Sequence, residues 1–127
     1  MKILIDTHIF LWFINNDPQL SLTAKTLLES DVELLLSVAS LWEIAIKVGT
    51  GKMTLPKPFE IFIPEQIQQN EVAILPIAIE HLTYITTLPF HHRDPFDRLL
   101  IAQSIVEGIP IVSVDVAFNS YEVDRYC

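Results

Sequence analysis

The chain has 127 residues, half of them hydrophobic, and 16 acids against 8 Lys and Arg give it a net charge of −8. That length suits a single domain over residues 1–127, able to bury roughly two-thirds of the surface its unfolded form exposes. The acidic balance excludes tight nonspecific nucleic-acid binding by a uniform surface, and three glycines leave no room for a Gly-rich phosphate loop or dinucleotide fingerprint.

The first apolar run, Ile3-Leu4-Ile5, stops at Asp6-Thr7-His8. Short apolar runs with polar ends suit strands covered on both faces, and Thr7 is the expected cap of a helix through Ile9–Ile14. Asp6 then lies at a strand's carboxyl end, where ligands collect in open parallel sheets. The turn formers Asn15-Asn16-Asp17-Pro18 end that helix. A second helix follows, capped by Ser21, with Leu20, Ala24, Leu27 and Leu28 as its apolar stripe.

Val32–Ser37 reads as the next strand, and Ser37 starts a third helix through Lys47. In Val38–Lys47 the only acid is Glu43, which fits an i,i+4 pair with Lys47, a Ser40-x-x-Glu43 capping box, or a functional role. Gly49-Thr50-Gly51-Lys52 closes the helix, and Leu55-Pro56-Lys57-Pro58 links to a helical segment from Phe59 to Asn70 that Pro64 is expected to kink or restart. Val72–Leu75 is a third strand. Ile77–Thr87 is another helix, with Ile79, Leu82, Ile85 and Leu88 as its stripe and His81 as a surface or packing residue.

The segment Leu88–Arg93 reads as a loop, and Asp94-Pro95-Phe96-Asp97 opens the most strongly specified helix. Asp94 fits the cap, Pro95 the first turn, and Asp97 the position where the helix dipole favours a carboxylate. Gly108 suits a left-handed cap position at the far end. Ile109–Val114 then repeats the opening pattern, an apolar strand that ends in Asp115; Val116–Asn119 is a turn and Glu122–Tyr126 a short edge strand.

Asp6 and Asp115 follow strands, Glu43 lies within a helix, and Asp97 opens one. If the four meet, their repulsion raises some of their pKa values unless a cation bridges them. Oxygen-only ligands suit Mg2+ or Mn2+, and no Cys/His pattern for zinc exists. Such a site can activate water and stabilise the charge of a phosphoryl displacement. The single cysteine, Cys127, permits no internal disulfide, and the first residues are interrupted too early for a secretory segment, so a soluble, cytoplasmic protein is expected. The longest apolar run is too short to cross a bilayer.

Ile3-Leu4-Ile5-Asp6-Thr7-His8, Ser40–Lys47, Asp94–Gln103 and Val112-Ser113-Val114-Asp115 resemble the successive motifs of PIN domains, especially VapC-type toxins of bacterial toxin-antitoxin pairs. The resemblance implies a three-layer α/β/α fold around a mainly parallel sheet, and a Mg2+- or Mn2+-dependent ribonuclease, restrained by a cognate antitoxin and working as a homodimer. It places the family's catalytic acids on Asp6, Glu43, Asp97 and Asp115, with Asp6, Asp97 and Asp115 as metal ligands. Asp94 matches no obligatory acid and stays a cap or outer-shell group. Ser113 stands where the family often has Thr, and keeps the hydroxyl. Thr7, Ser113, His92 and Arg93 are further outer-shell or substrate-facing candidates, and single-stranded or loop RNA is the expected substrate. Two other classes remain open. A haloacid-dehalogenase-like phosphotransferase needs a second acid two residues after Asp6, where this chain has His8; a catalytically silent PIN-fold module would bind RNA or a protein partner without cleaving.

Overall fold

The computed structural model describes residues 1–127. Five parallel strands form one sheet: β1 (Lys2–Ile5), β2 (Glu33–Ser37), β3 (Val72–Leu75), β4 (Ile111–Val112) and β5 (Arg125–Tyr126), in the order β3-β2-β1-β4-β5. The chain starts in the middle of the sheet, adds β2 and β3 on one side, and returns to add β4 and β5 on the other. The strand order therefore reverses between β1 and β4, where a parallel sheet opens a crevice beyond its carboxyl ends.

Six helices connect the strands: α1 (Thr7–Ile14), α2 (Leu22–Leu28), α3 (Val38–Gly49), α4 (Phe59–Gln69), α5 (Ile79–Ile85) and α6 (Pro95–Glu107). Alternation along the central strands divides the core in two, since successive side chains point to opposite faces. Ile3, Ile5, Leu34, Leu36, Val72 and Val112 pack with Phe10 of α1, Ala24 and Leu28 of α2 and Phe62 of α4. Leu4, Leu35 and Ile111 pack on the other face with Leu99, Leu100 and Ile101 of α6. The expected three-layer α/β/α arrangement follows from these two apolar layers. No helix is long and apolar enough to cross a membrane.

Several local expectations need correction. Asp6, not Thr7, caps α1: its backbone is extended (φ −78°, ψ 174°) and its carboxylate accepts the N–H of Ile9 at 2.8 Å. Ser40 belongs to no capping box, because α3 starts at Val38 and Ser37 is its cap, accepting from the N–H of Ala39. Helix α4 runs through Pro64 without a restart. The segment after Asp115 is a short 3-10 helix over Val116–Ser120 rather than a simple turn, and β4 is shorter than the apolar run that contains it.

Half of the stripe expected along α5 fails. Ile85 and Leu88 pack into the core, but Ile79 and Leu82 are exposed, and the fully buried residue of the helix is His81. Its Nδ1 accepts the N–H of Ala78 at 2.9 Å, so Nε2 carries the ring proton and donates to Glu107 Oε2 at 2.8 Å. His81 thereby closes the start of α5 and fastens it to the end of α6. Replacing it with Phe keeps the volume but strands the Ala78 donor, so His81→Phe is expected to cost about 1–3 kcal/mol in urea unfolding. A loss below a few tenths would show that water replaces the ring.

Candidate active site

The carboxyl ends of β1 and β4 deliver the first components. Asp6 follows β1, is nearly buried, and is held to the second strand by its own N–H, which donates to Val112 O at 3.1 Å. Ser113 follows β4 and is fully buried; its hydroxyl accepts the N–H of Asp115 at 3.1 Å and helps to stabilise the Asp6 charge. Burial pushes the Asp6 pKa up, assisted by the charge of Glu43 and opposed by the Ser113 and Ile9 hydrogen bonds and by His8.

Glu43 arrives from α3. Because Asp6 takes over the capping of α1, the Thr7 hydroxyl is free to turn toward α3, where it lies 2.7 Å from Glu43 Oε1 and 2.9 Å from Ser40 Oγ. A threonine hydroxyl has one proton and an ionised carboxylate only accepts, so Thr7 donates to Glu43 and Ser40 supplies the other bond. Lys47, one turn along, approaches Glu43 Oε2 at 3.3 Å. The expected i,i+4 pair therefore exists, and it coexists with the link to α1.

The start of α6 delivers the third acid. Asp94 caps the helix, accepting from the N–H groups of Phe96 at 2.8 Å and Asp97 at 3.2 Å. Asp97 lies in the first turn with its carboxyl raised from the ordinary range to about 7, first by burial and then by the charges of Asp94, Asp6 and Glu43, against an opposing effect of His92. The charges of acids from three separate elements thus act on this one carboxyl.

Asp115 completes the group beyond β4, where it caps the 3-10 helix through the N–H of Ala117 at 3.0 Å. Burial works to raise its pKa, but hydrogen bonds from His92 and Ala117 and the charges of His92 and Arg125 outweigh it, and the carboxyl stays below its usual range. His92 Nε2 lies 2.7 Å from Asp115 Oδ2 and 3.2 Å from Asp97 Oδ2. His92, Asp97 and Asp115 can each offer a ligand atom within 4.8 Å of the others.

The structure thus places Asp6, Thr7, Glu43, His92, Asp94, Asp97, Ser113 and Asp115 near the strand-order reversal, but only His92, Asp97 and Asp115 bring ligand atoms within 4.8 Å of one another, while Asp6 and Glu43 reach Asp97 through their charge. Arg93 does not join them: it is exposed and makes no hydrogen bond or ion pair with these acids. Sequence reasoning missed Ser40 as a partner of Thr7, and it missed Arg98 and Tyr121, which hold the loop bearing His92. Only the spacing of Ser40 and Glu43 on one helix face hinted at the first.

The larger cavities lie elsewhere. One of about 320 Å³ is lined by Leu11, Met53, Leu55 and Phe62, and contains none of the gathered acids.

A sequence model of the PIN domain family matches residues 3–123. Ribonuclease VapC22 of Mycobacterium tuberculosis is 26% identical over 125 residues, spanning 97% of this chain and 94% of that protein. Among solved structures, VapBC2 from Rickettsia felis bound to a DNA fragment from their promoter superposes with a TM-score of 0.75 at 16% identity, covering 99% of this chain and 98% of that one. A toxin-antitoxin complex from Klebsiella pneumoniae gives a TM-score of 0.67 at 14% identity, covering 98% and 96%. At these identities the structural likeness carries the fold, which agrees with the parallel sheet and its order. With the family's sequence pattern running across almost its whole length, the chain belongs to the PIN domain family.

Proposed function

We propose that the chain is an endoribonuclease dependent on Mg2+ or Mn2+, a toxin restrained by a cognate antitoxin. The observation that carries this reading is the convergence of acids from four separate elements at one sheet edge: Asp97 and Asp115 bring ligand atoms within 4.8 Å of each other, and the charges of Asp6 and Glu43 add to the burial that raises Asp97. The relative named a ribonuclease and the neighbours named as toxin-antitoxin assemblies support the same reading.

The donor set fits a hard divalent cation. Its acids offer carboxylate oxygens from Asp6, Asp97 and Asp115, and several nearby basic groups are already engaged: Lys47 with Glu43, His92 with Asp97 and Asp115, and Arg125 with Asn119 and the Ser113 carbonyl. Asp6, Asp97 and Asp115 would hold the cation, which would supply positive charge against the negative charge that develops on a phosphodiester in the transition state. Thr7 and Lys47 hold Glu43, the fourth catalytic acid, by a hydrogen bond and an ion pair. Ser113 steadies the turn that presents Asp115, and Asp94 fixes the helix start that presents Asp97. Arg93, exposed on the adjoining loop, is available to a phosphate of bound RNA.

We take residues 1–127 as one domain that acts in the cytoplasm. Val38, Trp42 and Ile46 are exposed at four-residue spacing on α3, and this apolar stripe supports a protein contact there, with the antitoxin or with a second copy in a homodimer.

The test is cleavage of single-stranded RNA by pure protein. Activity should appear with Mg2+ or Mn2+, disappear with EDTA, and return when excess metal is restored. A PIN-fold binding module would instead retain RNA on a filter without shortening it under any of these conditions, and that outcome would sink the enzymatic reading.

A further inference from the structure

The loop from Leu88 to Arg93 is anchored at several points by residues that no catalytic role accounts for. Arg98, buried in α6 with no acidic partner, donates to the carbonyls of Leu88 at 3.1 Å and Pro89 at 2.9 Å, and its guanidinium lies 4.0 Å from the centre of the Phe90 ring. The Tyr121 hydroxyl donates to Pro89 O at 2.7 Å and accepts the N–H of His92 at 2.9 Å. The His92 ring, edge-on to Phe118 with centroids 5.8 Å apart, is left pointing Nε2 at Asp97 and Asp115.

The opposite ring nitrogen decides what Nε2 can do. The backbone N–H of Asp94 donates to His92 Nδ1 at 3.2 Å, so Nδ1 presents its lone pair and the ring proton resides on Nε2. A ring in that state has no lone pair at Nε2 to give a cation, even though its distance from the two carboxylates matches a His-Asp-Asp metal site. Ligation through Nε2 requires a proton on Nδ1, where it would face the Asp94 donor. The geometry favours donation: a short bond to Asp115 and a longer one to Asp97.

We propose that His92 is a positioning residue and not a metal ligand, and that its Nε2–H holds the Asp97 and Asp115 carboxylates in place for the cation. Its tautomer is set by the Asp94 backbone, and its place by Tyr121 and Arg98. This rests on the carboxylate-metal reading above and assigns the histidine of that site to the protein's own scaffold. Groups of this kind set the orientation of ligating side chains, and their loss typically weakens metal binding about 10–100-fold.

Three measurements test it, none of which depends on catalysis. In metal-free protein at roughly pH 8, above the ordinary histidine range, long-range proton–nitrogen correlation of the ring should show His92 protonated at Nε2 and bare at Nδ1. The reverse tautomer would overturn the proposal. Calorimetric titration should then show His92→Leu weakening Mg2+ and Mn2+ by the same factor, about tenfold or more, with His92→Gln recovering most of the loss through its amide N–H. Tyr121→Phe, which deprives the His92 backbone of its acceptor, should weaken both ions by a smaller common factor. Unchanged affinities in His92→Leu, a loss confined to Mn2+, or a directly bonded nitrogen in pulsed electron resonance of the Mn2+-loaded wild type would each overturn it. A wild type that bound neither ion would defeat the metal reading instead, and the ring measurement would still decide whether His92 donates to the acids.

Discussion

Asp97→Asn is expected to slow single-turnover RNA cleavage at least about a hundredfold, and Asp6→Asn by a similar factor, because each removes charge that stabilises the transition state through the cation; losses of ~10²–10³ are usual for such groups. Asp94→Asn, three residues from Asp97, should cost less than about tenfold. Asparagine is as good an N-cap as aspartate, and its side-chain oxygen can keep the bonds to the N–H groups of Phe96 and Asp97. Removing the Asp94 charge also takes away one of the influences that raise the Asp97 pKa, so Asp97 is ionised over a wider pH range in that variant. The rates should be measured at saturating metal and near pH 8 in order to separate ligand loss from simple protonation. Equal losses for Asp94→Asn and Asp97→Asn would mean that the two acids of this helix start have been assigned the wrong way round.

This contrast could be drawn from the sequence because α6 is locally over-determined. Asp94, Pro95 and Asp97 each favour a helix start, and Gly108, at φ 65°, occupies the left-handed position that its lack of a Cβ permits. The central strands also followed from local signals, since the apolar runs of β1 and β2 are buried on both faces, whereas the order of the strands in the sheet is carried by no local pattern. Where two adjacent residues could do one job, sequence had no means to choose. Asp6 and Thr7 are both good caps, and the choice of Asp6 depends on the extended backbone at the end of β1. It is this choice that frees Thr7 for Glu43.

The remaining site residues were illegible for a different reason. The roles of Arg98 and Tyr121 rest on carbonyls and amides of a loop, whose directions no side-chain pattern encodes. His92 was visible as a candidate, but its protonation pattern depends on the Asp94 N–H, a backbone group made available by the turn into α6. On α5 the periodic apolar residues misled because the helix has only seven residues and its buried contact is a polar one, His81 to Glu107. A short helix can hide a hydrogen-bonded histidine and leave isoleucine in water when that polar pair fixes its rotation.

Without metal, the protein should lose stability as pH rises from about 4 to about 7, and Asp97→Asn should remove much of that loss. In the fold, the Asp97 carboxyl is raised from 3.8 to about 7. Between those values the folded chain holds a proton that the unfolded chain has released, so folding is favoured at the acid end and penalised progressively as pH climbs; above about 7 the penalty is complete. Its size is at most roughly 4 kcal/mol at about 1.4 kcal/mol per pKa unit, and partial solvent access to the carboxylate reduces it. Asp6, also raised, leaves a residual slope of the same sign in the variant, whereas Asp115, lowered by His92 and its other partners despite burial, acts only at the acid end, where its stabilisation is lost as pH falls through its folded pKa. Near pH 8 in EDTA, Asp97→Asn should therefore melt at or above the wild-type temperature while failing to cleave RNA. Metal reverses the order: at about ten times its dissociation constant it should add roughly 1.4 kcal/mol to the wild type, a few degrees in Tm, and add less to the variant. If Asp97 served only the dipole of α6, its neutralisation would instead cost about 0.3–1 kcal/mol at neutral pH and leave the response to metal intact. Thermal melts of both proteins across this pH range, with EDTA and with saturating Mg2+ or Mn2+, separate the two cases: a less stable metal-free variant with a full metal shift would remove Asp97 from the ligand set.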